Sequence, residues 1–413
     1  MSISRWISES PSVVEAYDTT RPDFEAYVDE IDAWYQRRPG TCSALDERGR
    51  REGDAALAFR IALKIAESRR IVRALDVPVT ITLLNPVYKE TGRIQRREDH
   101  PHGEDSIRCK IRVLRGLEAL NPNLTARLVV IDDECPDESG RMADRILREY
   151  GEDHASGKYR TLFLGEAIDA RDAALPSGLT HKDGPRRSVK GGAVLYGMRK
   201  TLNDSASGLH LMVDNDADLS VHPAQLGILI EDIVEGRAGA VAGSRREVDS
   251  VALIGPSRNT RGHLFIRIWQ HWLPELARTI TDTNRAFKAF ESDALARILP
   301  RIETYTFPYQ IELLQACITR GIRLTRRGIA YVDSEAASTQ DGAQITDSYL
   351  SQVRQIIDIS RRYGVLDEED ELVRFFLSIS EAEWQRIEAN PPDTLTELRH
   401  EARRRQGGLG SPQ

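Results

Sequence analysis

Leu211-Met212-Val213-Asp214-Asn215-Asp216-Ala217-Asp218-Leu219 is the stretch on which the reading of this chain turns. An apolar run of strand character delivers three carboxylates at alternate positions. Ligands of open α/β sheets bind outside the carboxyl ends of the strands, so the pattern sets acids at a ligand edge. Carboxylates this close repel one another unless a cation sits among them. Their oxygens favour hard divalent ions such as Mg2+ or Mn2+, which also bridge substrate phosphates. The competing reading is an Asp-rich turn that caps the next helix at His222-Pro223.

Working outward, Val79 to Leu84, Arg127 to Ile131, Tyr159 to Leu164, Leu209 to Val213 and Ala238 to Ala242 are β-rich runs separated by helical segments. Near-continuous apolar strands alternating with helices predict a mostly parallel sheet covered on both faces. This α/β region is expected to fill residues 77–340. Residues 1–76 read as an N-terminal helical region, with Ala56, Phe59, Ile61, Leu63, Ile65 and Ala66 in a mostly helical pattern before Arg69-Arg70. Residues 341–413 return to helical patterning and end in a Gly-rich tail. Trp269 and Trp272 lie on an amphipathic helix and are expected to pack in a core or interface.

Composition bounds the function classes. The 413 residues are 40% hydrophobic and 29% charged, which excludes fibrous and wholly disordered chains. Lys+Arg 57 against Asp+Glu 64 leaves a net charge of -7, so no nucleic-acid partner is expected. Cys42, Cys109, Cys135 and Cys317 are far apart and form no CxxC pair, as in a reducing compartment. Neither a signal peptide nor an 18-residue apolar stretch is read, and a cytoplasmic location is expected.

Other motifs converge on the same sheet edge. The first strand runs into Asn85-Pro86-Val87-Tyr88-Lys89-Glu90 and the second into Asp132-Asp133-Glu134. Such carboxylates suit ribose hydroxyls or a base imide; their plainer readings are a loop charge at Glu90 and a turn and cap at Asp132-Asp133. Ser188-Val189-Lys190-Gly191-Gly192 opens a helix with paired glycines, and a helix N-terminus beside a lysine suits a diphosphate. The polar segment from Lys89 to Asp105 is read as a mobile loop beside the site. Its His100-Pro101-His102 with Glu104 and Asp105 is either a metal set or a solvated loop.

In order, NPVYKE, VVIDDECPDES, SVKGGAVLYGM, DNDADLSVHP, VAGSR, ITDTNRAFKAF and FPYQIELL resemble the family 2 glycosyltransferases of GT-A fold, especially the dolichyl-phosphate mannose and glucose synthase branch. The resemblance covers about Val77 to Ser338 and implies a GT-A, Rossmann-like sheet with helical additions at both ends. It further implies a nucleotide-sugar pocket of Pro86, Tyr88, Glu90, Asp132, Asp133, Lys190, Gly191 and Asp216, with Asp216 and Asp218 as the metal-holding DxD pair. Asp214 is an acid beyond the usual pattern. Arg245, Arg258 and Arg261 fall where that branch binds an acceptor phosphate. Departures from the family pattern are Asn284 in place of the usual Gln, Gln310 where an acid is common, and the absence of membrane segments. These departures point to a soluble small-molecule or glycan acceptor.

The expected chemistry is transfer from a UDP- or GDP-sugar by inverting displacement, with Asp282 as general base and Glu312 as its competitor. Asp282 otherwise reads as an N-cap for a helix carrying Phe287 and Phe290, and Glu312 as a loop or arginine orienter. A sugar nucleotidyltransferase and a non-catalytic nucleotide-sugar-binding protein are the alternatives, and a homo-oligomer is compatible with the helical ends. A nucleotidyltransferase should carry a Gly- and Arg-rich loop after the first strand, where this chain has NPVYKETG.

Overall fold

The computed structural model describes residues 3–38, 42–179, 188–254, 256–334 and 348–408, with backbone alone at 256–262 and 405–408. Nine strands are described: β1 Val79–Val87, β2 Leu124–Asp132, β3 Tyr159–Phe163, β4 Leu209–Asp214, β5 Ala240–Ser244, β6 Val251–Leu253, β7 Lys288–Glu291, β8 Leu324–Gly328 and β9 Ala330–Val332. Seven form one sheet in the order β3-β2-β1-β4-β7-β5-β8, and β6 pairs with β9 in a small ribbon. β7 runs antiparallel to β4 and β5, and the other pairings in the sheet are parallel. The expected α/β architecture, mostly parallel and flanked by helices, is therefore present.

Both faces of the sheet are covered because the central strands are apolar on both sides. Ile81 and Leu83 of β1, with Leu128 and Val130 of β2, join a core under the Ser106–Glu118 and Leu226–Val234 helices. Their neighbours Leu84, Val129 and Ile131 point the other way, into a core with the Gly191–Thr201, Pro256–Trp272 and Tyr309–Thr319 helices. Alternation within one strand thus feeds two cores.

The N-terminal helix Leu57–Arg73 is apolar on most sides, which a helix tolerates only when it is sandwiched. Its Ile71 and Val72 reach the sheet core, while Phe59, Ile61 and Leu63 pack against Phe24 and Ile31 of the Pro22–Tyr35 helix. The amide of Gly227 donates to Ser68 Oγ at 2.8 Å, and a Cβ at Gly227 would come within 2.1 Å of the Ser68 carbonyl oxygen. At the other end, Ser348, Asp370 and Ser380 cap successive helices with their side chains. These helices bury Leu350, Val353, Phe376 and Trp384 against Leu264, Phe265, Trp269 and Trp272. The Trp269/Trp272 stripe is core, and Trp272 Nε1 donates to Asp370 Oδ2 at 3.0 Å. Among the described residues no helix is long and apolar enough to cross a membrane.

One expectation is corrected. Phe287 and Phe290 do not ride on a helix: Phe290 lies in β7, Phe287 directly precedes it at φ 80, and the helix begins only at Ser292. The Phe287 amide donates to the Asp214 carbonyl at 2.6 Å and its carbonyl accepts from Gly243 at 3.0 Å, so the pairing of β7 between β4 and β5 dictates the extended course.

Candidate active site at the carboxyl edge of the sheet

Strand register brings the acids together. Val87 of β1 stands beside Asp132 of β2, and Leu84 of β1 beside Asp214 of β4, so the chain leaves all three strands on one edge. Asp214 is still inside the fold: it accepts from the Tyr309 hydroxyl and from Gln310 Nε2 at 3.1 Å, and burial raises its pKa. Asp216 and Asp218 follow beyond the strand and are half-buried. Asp216 is paired with Lys190 Nζ and lies 3.3 Å from Arg285 Nη1, and these cations hold its carboxyl well below the usual range despite burial. Asp218 makes no ion pair among the described residues; its Oδ1 accepts only the Ser220 amide, at 3.1 Å.

Lys190 is positioned through its backbone. Its φ of 66 turns the chain into the Gly191–Thr201 helix, and its amide donates to Asp133 Oδ2 at 2.8 Å. The glycine that follows answers to close approach. A Cβ at Gly191 would meet the Thr306 carbonyl oxygen and the Tyr305 carbonyl carbon, each at 2.7 Å. Asp133, Lys190 and Asp216 therefore form one connected edge. Asp132 does not open onto it: its oxygens accept from Cys135 at 3.1 Å and Gly140 at 2.9 Å, the turn-and-cap arrangement.

Pro86 is buried in β1 and Tyr88 is half-buried beside the Lys89 ammonium, which lies 5.7 Å from the ring centroid. Glu90 is buried and bonded at 2.5 Å to Arg93, and its amide donates to Ser139 Oγ at 2.8 Å. The Lys89–Asp105 segment is not a simple loop at the margin. It sends Arg93 and Glu104 into the interior, and it is tied to itself by the Glu104 amide on the Arg93 carbonyl at 3.1 Å and Asp105 on Gln95 at 2.8 Å. His100 and His102 stay outside with each other, and Glu104 turns instead to Ser334 Oγ at 2.8 Å and the Leu219 amide at 2.9 Å. Among the described residues no group of three His, Cys, Asp or Glu side chains is gathered for a metal.

On the far side of β4, Asp282 is almost fully buried and held by a two-pronged contact from Arg245, Nε at 2.7 Å and Nη2 at 3.0 Å. Its pKa is held well below the ordinary carboxylate value by Arg245, against the opposing effect of burial. Glu312 has no exposed surface; it accepts from the amides of Glu303 at 3.2 Å and Thr304 at 2.7 Å and pairs with Arg362 at 2.9 Å. That is the loop- and arginine-orienting arrangement. Arg258 and Arg261 belong to the Pro256–Trp272 helix, but their side chains lie outside the described residues.

Several residues at this edge are given no role by the sequence. Arg285 bonds Asp216 and the Tyr331 hydroxyl, and Tyr331 is flanked by Arg245 and Arg285, whose guanidinium carbons lie 5.3 and 4.8 Å from its ring centroid. Lys288 bonds Gln310 Oε1 at 2.7 Å, and burial pushes its ammonium down to about 7. Lys110, fully buried on the Ser106–Glu118 helix, donates to Asn85 Oδ1 and to the carbonyls of Asp216 at 2.5 Å and Ala217 at 3.1 Å. Arg285 and Lys288 lie inside the block ITDTNRAFKAF, which carries the family resemblance without giving either residue a site role. Nothing near Lys110 marks it.

The donor set suits a hard cation. Asp216 and Asp218 stand two residues apart; Asp218 retains coordination capacity, whereas the two oxygens of Asp216 are engaged by Lys190 and Arg285 and would be shared with an ion. Two protein carboxylates with the rest supplied by water and phosphate is the usual way a Mg2+-type ion is held beside a nucleotide.

No family model matches the chain. Among solved structures it is similar to glucosyl-3-phosphoglycerate synthase from Mycobacterium tuberculosis, in a complex with Mn2+, UDP and glucosyl-3-phosphoglycerate. That comparison has a TM-score of 0.45 at 15% identity, over 74% of this chain and 85% of that one. A complex of the same enzyme with Mn2+, UDP-glucose and phosphoglyceric acid gives 0.43 at 15% identity, over 74% and 85%.

Proposed function

We propose that this chain is a metal-dependent glycosyltransferase that moves a sugar from a nucleotide-diphosphate sugar, UDP- or GDP-linked, to a soluble small-molecule or glycan acceptor. One observation carries the reading. Asp216 and Asp218 leave β4 at the carboxyl edge of a mostly parallel sheet, with Lys190 and Arg285 on the first acid and no ion pair on the second among the described residues. Breaking the bond between an anomeric carbon and a diphosphate loads negative charge on the leaving group. Asp216 and Asp218 would hold a divalent ion there, which would supply Lewis-acid stabilisation of that charge. Lys190 and Arg285 already converge on Asp216, the Lys190 backbone held by Asp133 and the Arg285 side chain by Tyr331, which puts two cations where that charge develops. Pro86, Tyr88, Glu90 and Asp133 are assigned to the nucleotide. Asp132 supports that pocket by holding the 135–140 turn.

For an inverting displacement the acceptor hydroxyl needs a base, worth about 10²–10⁴ in rate. Asp282 is assigned this role on one condition: Arg245 must be drawn off it. While both oxygens are engaged and the pKa is depressed, it accepts a proton poorly. Glu312, with its amides and Arg362, is assigned to holding the 303–304 loop. Arg245, Arg258 and Arg261 remain the candidates for the acceptor side.

The test is to incubate the chain with Mn2+ and a panel of UDP-, GDP- and dTDP-sugars while following nucleoside diphosphate release. Release from one donor, lost in Asp218→Ala, supports the reading. Pyrophosphate chemistry with a sugar phosphate and an NTP would replace it with nucleotidyl transfer. Binding without turnover in the presence of a broad acceptor panel would favour a nucleotide-sugar-binding protein.

A further inference from the structure

The backbone of the acidic turn is gripped from below by two buried side chains of opposite charge. Lys110 has no exposed surface, and its ammonium donates to three oxygens: Asn85 Oδ1 at the end of β1 and the carbonyls of Asp216 and Ala217. An ammonium has three protons, so its capacity is full. Glu104, 3% exposed, accepts the Leu219 amide at 2.9 Å and the Ser334 hydroxyl at 2.8 Å, and lies 3.7 Å from Arg93 Nε. The backbone on both sides of Asp218 is thereby fixed, carbonyls by the lysine and amide by the glutamate.

This arrangement is costly if its purpose is stability alone. Burying a charge is expensive, and an apolar side chain of similar volume usually serves a core as well or better. Among the described residues Lys110 makes no ion pair; its charge is spent on backbone carbonyls of the turn that carries the acids. A fixed backbone fixes the points from which the Asp216 and Asp218 side chains extend, and so narrows the arrangements in which their oxygens can meet a divalent ion.

We propose that Lys110 and Glu104 are positioning residues for the Asp216/Asp218 turn, so that the Lys89–Asp105 segment and the helix after it preset the geometry in which a divalent ion is bound with the donor diphosphate. The proposal rests on the glycosyltransferase reading for the identity of the bound species, and on geometry alone for the grip on the turn.

The experiment uses the full chain and the variants Lys110→Met, Glu104→Gln and Glu104→Leu. Mn2+ affinity is read by electron paramagnetic resonance in the presence of UDP and, separately, GDP. Backbone hydrogen exchange is read over residues 214–220. Outer-shell groups of metal sites typically change affinity about 10–100-fold. Lys110→Met should weaken Mn2+ by at least about tenfold while changing metal-free nucleotide affinity by less than about twofold, and should speed exchange of the turn amides with protection elsewhere unchanged. Glu104→Gln keeps an acceptor for the Leu219 amide and should stay within about threefold of wild type, whereas Glu104→Leu should behave like Lys110→Met. Should Lys110→Met not fold, the Gln/Leu contrast at Glu104 decides. Wild-type Mn2+ affinity and wild-type turn exchange in Lys110→Met and Glu104→Leu overturn the proposal. Absence of nucleotide-dependent Mn2+ binding in the wild type overturns the donor reading instead, and the exchange data then judge the grip by themselves.

Discussion

At the scale of single residues, two acids of the same run, Asp214 and Asp218, have different fates, and substitution should separate them. Asp218, half-buried and bonded only to the Ser220 amide, contributes little to packing. Asp218→Asn should therefore lower donor turnover by about 10²-fold or more, the scale of losing one preorganised electrostatic contact, with an unchanged melting temperature. Asp214→Asn should do the reverse. It disturbs the buried contacts to Tyr309 and Gln310 and should cost about 1–3 kcal/mol in denaturant unfolding. Equal loss of turnover without loss of stability at both positions would sink the distinction. A second contrast concerns Arg245. Removing it leaves Asp282 charged and buried, so Arg245→Ala should destabilise by about 3 kcal/mol or more, and adding Asp282→Asn should restore most of that. An arginine held ready only for an acceptor would leave stability unmoved.

At the scale of elements, Gly191 is where a strand-edge loop, a helix start and a neighbouring backbone meet. Gly191→Ala forces a Cβ against backbone at 2.7 Å, where no flexible side chain end can yield. The cost should be about 1–3 kcal/mol of stability together with weaker nucleotide binding by isothermal titration, because Lys190 shifts with it. An alanine variant that binds and melts like wild type would show that the SVKGG block is not placed by this contact. The strands that are legible in the sequence are the β-rich runs: β1, β4 and β5 are buried on both faces over nearly their whole length and β2 over its second half, while β3, at the sheet edge, is half-buried beyond Tyr159. β7 was misread because RAFKAF follows a plausible cap at Asp282 and is only a four-residue antiparallel insertion between β4 and β5. β8, LTRRG, carries its arginines to Asp232, Glu231 and Glu247 and so lacks the apolar signature of a sheet strand. Asp216, Asp218 and Asp133 are readable as candidate site residues because motif and strand end coincide, and Lys190 because paired glycines open a helix beside it. Lys110 and Glu104 were not, since a buried ion that serves backbone groups leaves no spacing pattern.

At the scale of the whole molecule, the N-terminal helices are joined to the sheet at a seam that contains a buried histidine. His222 caps the Pro223–Gln225 turn by accepting the Ala224 amide at 3.1 Å. Burial, with the charges of Arg69 and Arg112, pushes its pKa down to about 3, against about 6.5 in an unfolded chain. Arg69 lies on the Leu57–Arg73 helix and Arg112 on the Ser106–Glu118 helix, so protonation sets a third positive charge among elements of both parts. Because the unfolded state binds the proton more tightly, the stability contributed by neutral His222 is whole above pH about 6.5 and declines as pH falls from there toward about 3. One pKa unit corresponds to about 1.4 kcal/mol, so lowering the pH to about 5 should cost about 2 kcal/mol from this group. Carboxylates such as Asp282 and Asp32, whose pKa values are depressed, add their own losses only lower, below the ordinary range near 3.8. His222→Asn keeps a side-chain acceptor for the cap without a titratable ring. Groups such as Lys288 titrate in both proteins and cancel in the difference, so urea unfolding between pH 8 and 4 should show the wild type losing about 2 kcal/mol relative to the variant between pH about 6.5 and 5, the two agreeing within about 1 kcal/mol at pH 8. Parallel curves for both proteins would mean that the seam takes up the proton without strain, and that acid lability arises elsewhere in the fold.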